Sequence, residues 1–498
     1  MIGRRHLLAA TAALPFAPGR ARAEAGVLRF GLSSYPPNLL PWASVGTAAL
    51  TVKALLFRGL LSFDRDGKVA GELAEKWERD GDHAWVFHLR DARFQNGAPV
   101  TSADVKWTLE GIAAEKSGAY LRGQLGEVQA VETPDARTVR VVTRAPMATL
   151  PLILATPFAG VICKDAPGVG AGPYKLAGQE RGTSVDLEAF DGYYKPGLPR
   201  TRRIRFVAYP DENARVAALQ AGDVDMIEYV PWQSMATIEA DPRLKLDAVD
   251  GPYMALNFNG AAGPFKDPRV RQAVACAIRR DEIVKAAFFG RGTVLENIPV
   301  PRVSEFYNEQ LAHGFAYDPG RAKKLMAEAG VGGGFGCTLL STAQYGMHKS
   351  TAEVIQQQLG EIGIDVKLNL PDWATRVSLG NRGQYEFCVQ GQAADNNDPD
   401  GLSAYIDGTL PLDNARSANL PTPRIHELLA QGRAEFDPAK RRATYDELQR
   451  VAQEVVPLAG LCWRSQGYAM ARTVSGFSNL AGGLNFYSGY SLENVALG

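Results

Sequence analysis

The sequence predicts a mixed α/β protein of more than one domain. Segments of strand period take turns along the chain with segments of helical period. At 498 residues the chain exceeds what a single core ordinarily serves. Hydrophobic residues at 46% and charged residues at 22% lie near the globular average. That balance excludes a largely disordered chain and a polytopic membrane protein.

Taken in order, the first element is a targeting segment. Arg4 and Arg5 precede an apolar stretch from Leu7 to Phe16, and Ala21-Arg22-Ala23 follows. A charged region, a short apolar region and a small-residue cleavage site make residues 1–23 a signal peptide of twin-arginine type, cut near Ala23. Its apolar run is too short to span a bilayer. Cleavage removes four arginines and no acid, so a formally neutral precursor becomes a mildly acidic mature chain. This charge argues against a nucleic-acid partner. No later segment offers roughly 18 consecutive apolar residues, and the product is expected to be exported to the periplasm and released.

Trp85–Leu89 and Thr138–Thr143 read as strands. Between them Thr101-Ser102-Ala103-Asp104 is a capping box for a helix that turns Val105, Thr108, Leu109 and Ile112 to one face. Residues 56–160 thus form a β-plus-helix unit. Arg203–Tyr209 alternates as a strand and feeds a helix that stops at Gly222, with a further strand over Asp223–Tyr229. Tyr253–Asn259 is another extended run. Three later helices open with Asp as N-cap and Pro at the first helical position, at Asp267-Pro268, Asp318-Pro319 and Asp437-Pro438. A helix over 350–362 and strands over 365–370 and 385–390 follow. The last strand delivers the polar loop 394–400 at a strand end, where α/β proteins place ligand contacts.

Catalytic signatures are missing. There is no G-x-S-x-G and no Walker A segment. Gly168–Gly172 is followed by Pro173-Tyr174 where a phosphate-binding helix would have to open. His83 and His88 fall on opposite faces of a strand, and His313, His348 and His426 are scattered and read as surface residues. The five cysteines fall in apolar contexts and read as small core residues. No metal site and no cofactor are expected.

Several segments carry a resemblance. Leu73–Glu78 with Trp85–Arg90, Phe94-Gln95-Asn96-Gly97 and Pro99–Val105 form one signature. Gly172-Pro173-Tyr174, Ala214–Asp225, and Asp267–Ala273 with Ile278-Arg279-Arg280 continue it. Together these resemble the extracytoplasmic solute-binding proteins of peptide/nickel ABC importers, bacterial solute-binding protein family 5, which includes dipeptide- and oligopeptide-binding proteins.

The resemblance implies a two-lobed periplasmic-binding-protein fold of type II, in the large cluster with an extra subdomain. Lobe I would comprise 24–55, 161–256 and 470–498, the subdomain 56–160, and lobe II 257–469, with a hinge near Tyr253–Asn259 and Ala469. It implies a monomeric, non-enzymatic protein that closes on a peptide or similar small amine-bearing solute and delivers it to the transmembrane subunits of a permease. Asp395, in the run Asp395-Asn396-Asn397-Asp398-Pro399-Asp400, matches the acid that pairs with a ligand ammonium, with Asn397 beside it. The arginine that receives a peptide carboxylate in dipeptide-binding relatives has no counterpart, because no arginine lies between Ala322 and Ile362 and Thr342 falls near its position. Tyr35, Trp232, Trp373 and Trp463 are candidate aromatic linings, and Arg464 a candidate anion partner. A nickel or metal-chelate carrier of the same fold, and a secreted hydrolase with a non-local triad, are the alternatives.

Overall fold

The computed structural model describes residues 26–43, 46–261 and 263–498. The signal peptide predicted for residues 1–23 lies outside the described residues.

A sheet of eleven strands runs through the molecule. Across it the order is Ile364–Asn369, Phe335–Leu340, Phe387–Gln392, Leu244–Phe258, Ala459–Ala471, Met226–Ile227, Val27–Leu32, Arg203–Ala208, Ser184–Ala189 and Tyr174–Glu180, with Gly292–Val294 paired off this path to Ala459–Ala471. The two central strands are the longest, at 15 and 13 residues, and pair antiparallel from Leu244↔Ala471 to Leu256↔Ala459. One flank of this ribbon carries strands from the first half of the chain and the other flank strands from the second half. Register shifts fall between Asp250 and Tyr253 and between Met254 and Ala255. Such bulges bend and twist a ribbon locally. Gly251 sits at the bend, where an added Cβ would lie 2.7 Å from the Gly482 carbonyl.

A separate antiparallel sheet, Ala74–Arg79, Ala84–Leu89, Thr138–Thr143, Val128–Asp135, is covered by the helix Ser102–Ala113. The Thr101/Asp104 capping box forms, and Val105, Thr108, Leu109 and Ile112 are buried as their spacing requires. The C-terminal residues Leu484, Tyr487 and Tyr490 join this core. All three Asp-Pro starts are helix caps: Asp267 accepts from Arg269 N, Asp318 from Arg321 N, and Asp437 from Ala439 N and Lys440 N. Each cap contributes about 0.5–2 kcal/mol.

Other expectations change. The strand expected over Asp223–Tyr229 shrinks to Met226–Ile227, since Tyr229 takes a left-handed conformation (φ 52°) that turns the chain into the helix Trp232–Ala240. The helix expected from 350 starts at Gly346. The glycine run 168–172 packs on backbone: an added Cβ at Gly170 or Gly172 would lie 2.2 Å from the carbonyl oxygen of Leu56 or Leu55. All five cysteines are free and buried.

Candidate functional site

The polar loop after Phe387–Gln392 is organised by its own side chains. Asn396 Oδ1 accepts from Asp398 N (2.9 Å), and Asp398 Oδ1 accepts from Asp400 N (2.9 Å). Asp398 pairs with Arg441 at 2.9 Å and accepts from the Tyr445 hydroxyl at 3.0 Å; Asp400 pairs with Arg433 at 2.8 Å. Asn397 clasps the C-terminal segment, donating to the Ala481 carbonyl (3.2 Å) and accepting from Gly483 N (2.8 Å). Every acid of the loop except the first is therefore engaged by a cation. Among the described residues the Asp395 carboxylate accepts only from the Tyr120 hydroxyl (2.5 Å) and the Gln124 amide (3.4 Å), both from the segment that follows the helix Ser102–Ala113. Burial pushes its carboxyl up to about 6, against the lowering effect of the Tyr120 bond. A half-buried carboxylate with no cation among the described residues favours an incoming ammonium.

A larger cavity has Gly391, near the end of the strand Phe387–Gln392, in its wall. Its volume is about 870 Å³, and its wall combines Ser33, Thr47 and Tyr229 from the first half of the chain with His348, Trp373 and Gly391 from the second. Arg464, on the long strand Ala459–Ala471, borders it and is only 4% exposed. Its guanidinium donates to the Tyr229 hydroxyl at 3.1 Å and touches Met347 Sδ at 3.1 Å. Nε has no partner, and no carboxylate pairs with it among the described residues. Gly391 is four residues before Asp395, so an extended chain separates them by at most about 14 Å. Arg464 thus presents an unpaired cation to this cavity, and Asp395, an acid without a cation among the described residues, follows its wall residue Gly391 by four positions.

His348 is placed differently from the surface position expected. It is 2% exposed on the cavity wall, and its Nδ1 has no partner. Burial, reinforced by Arg376 and Arg464, lowers its pKa to about 3, so the ring is neutral near pH 7. Trp373 stands edge-to-face with it at 5.6 Å and with Tyr345 at 5.4 Å. The sequence holds a signal for this burial: His348 shares the face of Thr351, Ala352, Ile355 and Leu359, at helical spacing.

Trp232, Trp373 and Arg464 border the same cavity. Trp232 does so mainly as a core residue, donating its indole N–H to Ser465 O (2.6 Å) and packing against Phe288 at 4.9 Å. Tyr35 packs half-buried against the core around Val27–Leu32 and does not border this cavity. Trp463 and Arg464 are neighbours on a strand and face opposite ways. Trp463 packs on Tyr253 at 6.0 Å and borders a second cavity of about 460 Å³ behind the central ribbon. Thr342 is buried and donates to the Pro371 carbonyl (2.7 Å). Tyr120 and Gln124 come to Asp395 without any local signal, since they meet it from 275 and 271 positions away.

The sequence profile of the bacterial extracellular solute-binding proteins, family 5, matches residues 68–411. The chain belongs to this family. It is 27% identical over 498 residues to the glutathione-binding protein GsiB of Pectobacterium atrosepticum, covering 96% of each chain. It is 40% identical to the binding protein AgaA from A. tumefaciens R10, solved in complex with agropinic acid, with a TM-score of 0.85 over 95% of this chain and 99% of that one. The Helicobacter pylori DppA in complex with the peptide STSA, at 22% identity and a TM-score of 0.81 over 95% and 98% of the two chains, shares the fold. This family-5 chain therefore has the two-lobed binding-protein architecture. As a member it is a solute-binding component for an ABC importer.

Proposed function

We propose that this chain captures a small solute bearing both an amine and an acid group, closes over it, and presents it to the transmembrane subunits of its permease. The observation that carries this reading is the pair of unmatched charges: Asp395 meets no cation and Arg464 meets no carboxylate among the described residues. Arg464 supplies from the central ribbon the anion partner that the helix Gly346–Gly360 lacks. Closure excludes water and strengthens both pairings. The solutes named for relatives, glutathione, agropinic acid and a peptide, are consistent with a small polar acid.

The lobes are taken as 24–55, 161–256 and 470–498 for the first and 257–469 for the second, with 56–160 inserted and the central ribbon as their connection. The chain works as an exported periplasmic monomer after a twin-arginine signal is removed, and it turns nothing over. Calorimetric titration of the purified mature chain with glutathione, agropinic acid, dipeptides and their amides tests the reading. Binding that requires a free carboxylate and is lost in Arg464→Gln supports it, whereas equal binding of acids and amides sinks it.

A further inference from the structure

Beside Arg464, the walls of the larger cavity have a hydrogen-bonding pattern of their own. Ser33 lies on its lip, and both its donors are engaged: N–H and hydroxyl donate to Glu228 at 2.9 and 2.7 Å. Glu228 is buried, accepts a further bond from Thr51 at 3.3 Å, and has no ion-pair partner among the described residues. With its donors held in this way, the Ser33 oxygen faces the cavity as an acceptor only, and a ligand atom against it must donate.

The opposite wall asks for both roles. A neutral His348 ring donates at one nitrogen and accepts at the other. Its Nε2 lies 3.3 Å from where a Gly391 Cβ would be, so Gly391 keeps the space beside it open. The hydroxyl of Ser350 on this wall, and that of Thr47 on the Ser33 side, border the cavity with no hydrogen-bond partner among the described residues. Tyr345 and Trp373 add ring surface at their side. An apolar chain placed here would leave these polar groups dry and unpaired. A hydroxyl group joins donor and acceptor at one atom, and the C–H faces of a polyol fit against aromatic rings.

We propose, building on the reading that Arg464 takes the acid and Asp395 the amine, that the cognate solute is a polyhydroxylated amino acid whose hydroxyl-bearing chain lies between Ser33 and the Tyr345–Trp373–His348 corner. Ser33 accepts from one hydroxyl, and His348 and its neighbours bind others. Specificity then comes from the chain that extends away from the charged head as well as from the charges themselves.

A matched pair of probes tests this by calorimetry on the mature chain: 2-amino-2-deoxygluconate and norleucine, which share a six-carbon amino-acid skeleton and differ in hydroxyls, with Ala-Ala as a peptide control. The expected result is that the hydroxylated acid binds at least about tenfold more tightly than norleucine, the worth of roughly one additional well-made hydrogen bond. Ser33→Ala and Trp373→Leu should shrink that ratio, and Arg464→Gln should weaken both acids alike and leave the ratio standing. Equal binding of the two acids, or tighter binding of norleucine, overturns the inference while leaving the charge pairing intact. Binding of Ala-Ala alone overturns it in favour of a peptide solute. Silence of all three overturns this inference and the charge-pairing reading together.

Discussion

The hydroxyl of Tyr120 donates a 2.5 Å hydrogen bond to the carboxylate of Asp395, tying the unit built on the four-stranded sheet to the polar loop 394–400. Tyr405 and Tyr487 are close enough to feel the same carboxylate. Among the described residues Asp395 is thus solvated by neutral groups and by no cation, which makes it costly to keep ionised in the empty protein and receptive to an ammonium.

Removing that charge is expected to stabilise the empty protein while damaging the site. A carboxyl raised to about 6 binds more protons folded than unfolded between its ordinary value and pH 6, so stability falls as pH rises through that window. After discounting for partial exposure, Asp395→Asn should gain about 1–2 kcal/mol at pH 7.5 and nothing below pH 4, read from denaturant melts. The same variant should lose about 2–5 kcal/mol of affinity for an amine-bearing solute. No change in either measurement would remove Asp395 from the cleft chemistry.

Affinity for an amine-bearing solute should also fall as pH drops through about 6, because protonation of Asp395 abolishes its attraction for the ammonium. Tyr120→Phe deletes a bond that favours the ionised form, so the midpoint of this loss should move to higher pH. Titrations between pH 5 and 8 on both proteins read the shift directly, and an unmoved midpoint would disconnect Tyr120 from the ligand acid.

Arg464→Gln should weaken a carboxylate-bearing solute by about 2–5 kcal/mol and leave the corresponding amide nearly unaffected. In the empty protein the same change removes a buried, unpaired charge, so no large loss of stability is expected. A variant that melts early and binds normally would assign Arg464 to the scaffold.

Asn397→Ala breaks the two-bond clasp on Ala481 and Gly483, and a loss of about 1–3 kcal/mol in stability is expected. Since the clasp engages both the carbonyl and the amide of the side chain, affinity per folded molecule should be nearly unchanged.

Stability at a distance from the cleft rests partly on a buried ion cluster. Arg58 lies 2.8 Å from Glu493 and 3.5 Å from Glu72, and Lys195 pairs with both acids at 2.8 and 2.7 Å. Burial pushes the Glu493 carboxyl up, but Arg58 and Lys195 outweigh it and hold the group well below the usual carboxylate range. That contribution is present above the ordinary carboxylate value and disappears as pH falls below it. Arg58→Met should cost about 3–5 kcal/mol by leaving two buried acids short of a cation, with solute affinity retained. A loss under about 1 kcal/mol would mean the cluster is already wet.

Residues whose role depends on near neighbours are legible in the amino-acid sequence. The Thr101/Asp104 capping box, the three Asp-Pro helix starts, and the stop at Gly222 all rest on bonds within a few residues of themselves. The loop from Asp395 to Asp400 is also legible as a candidate site, with Asp395 singled out through the family resemblance, though not which of its acids the fold neutralises. That depends on Arg441 and Arg433 arriving from later helices to neutralise Asp398 and Asp400. His348 reads as a surface residue because scattered histidines give no signal of burial by themselves, although its spacing along the helix does.

The alternating α/β elements, their caps and the resemblance to a binding-protein family follow from the amino-acid sequence alone, since periodicity and capping act over a few residues. Which charges go unpaired is a property of the folded chain. Folding set Trp463 and Arg464 in different cavities, brought Tyr120 to Asp395 across 275 positions, and left Arg464 without an acid among the described residues. The physical reason is that a charge's partner is chosen by packing across the whole fold, over separations that local spacing does not reach.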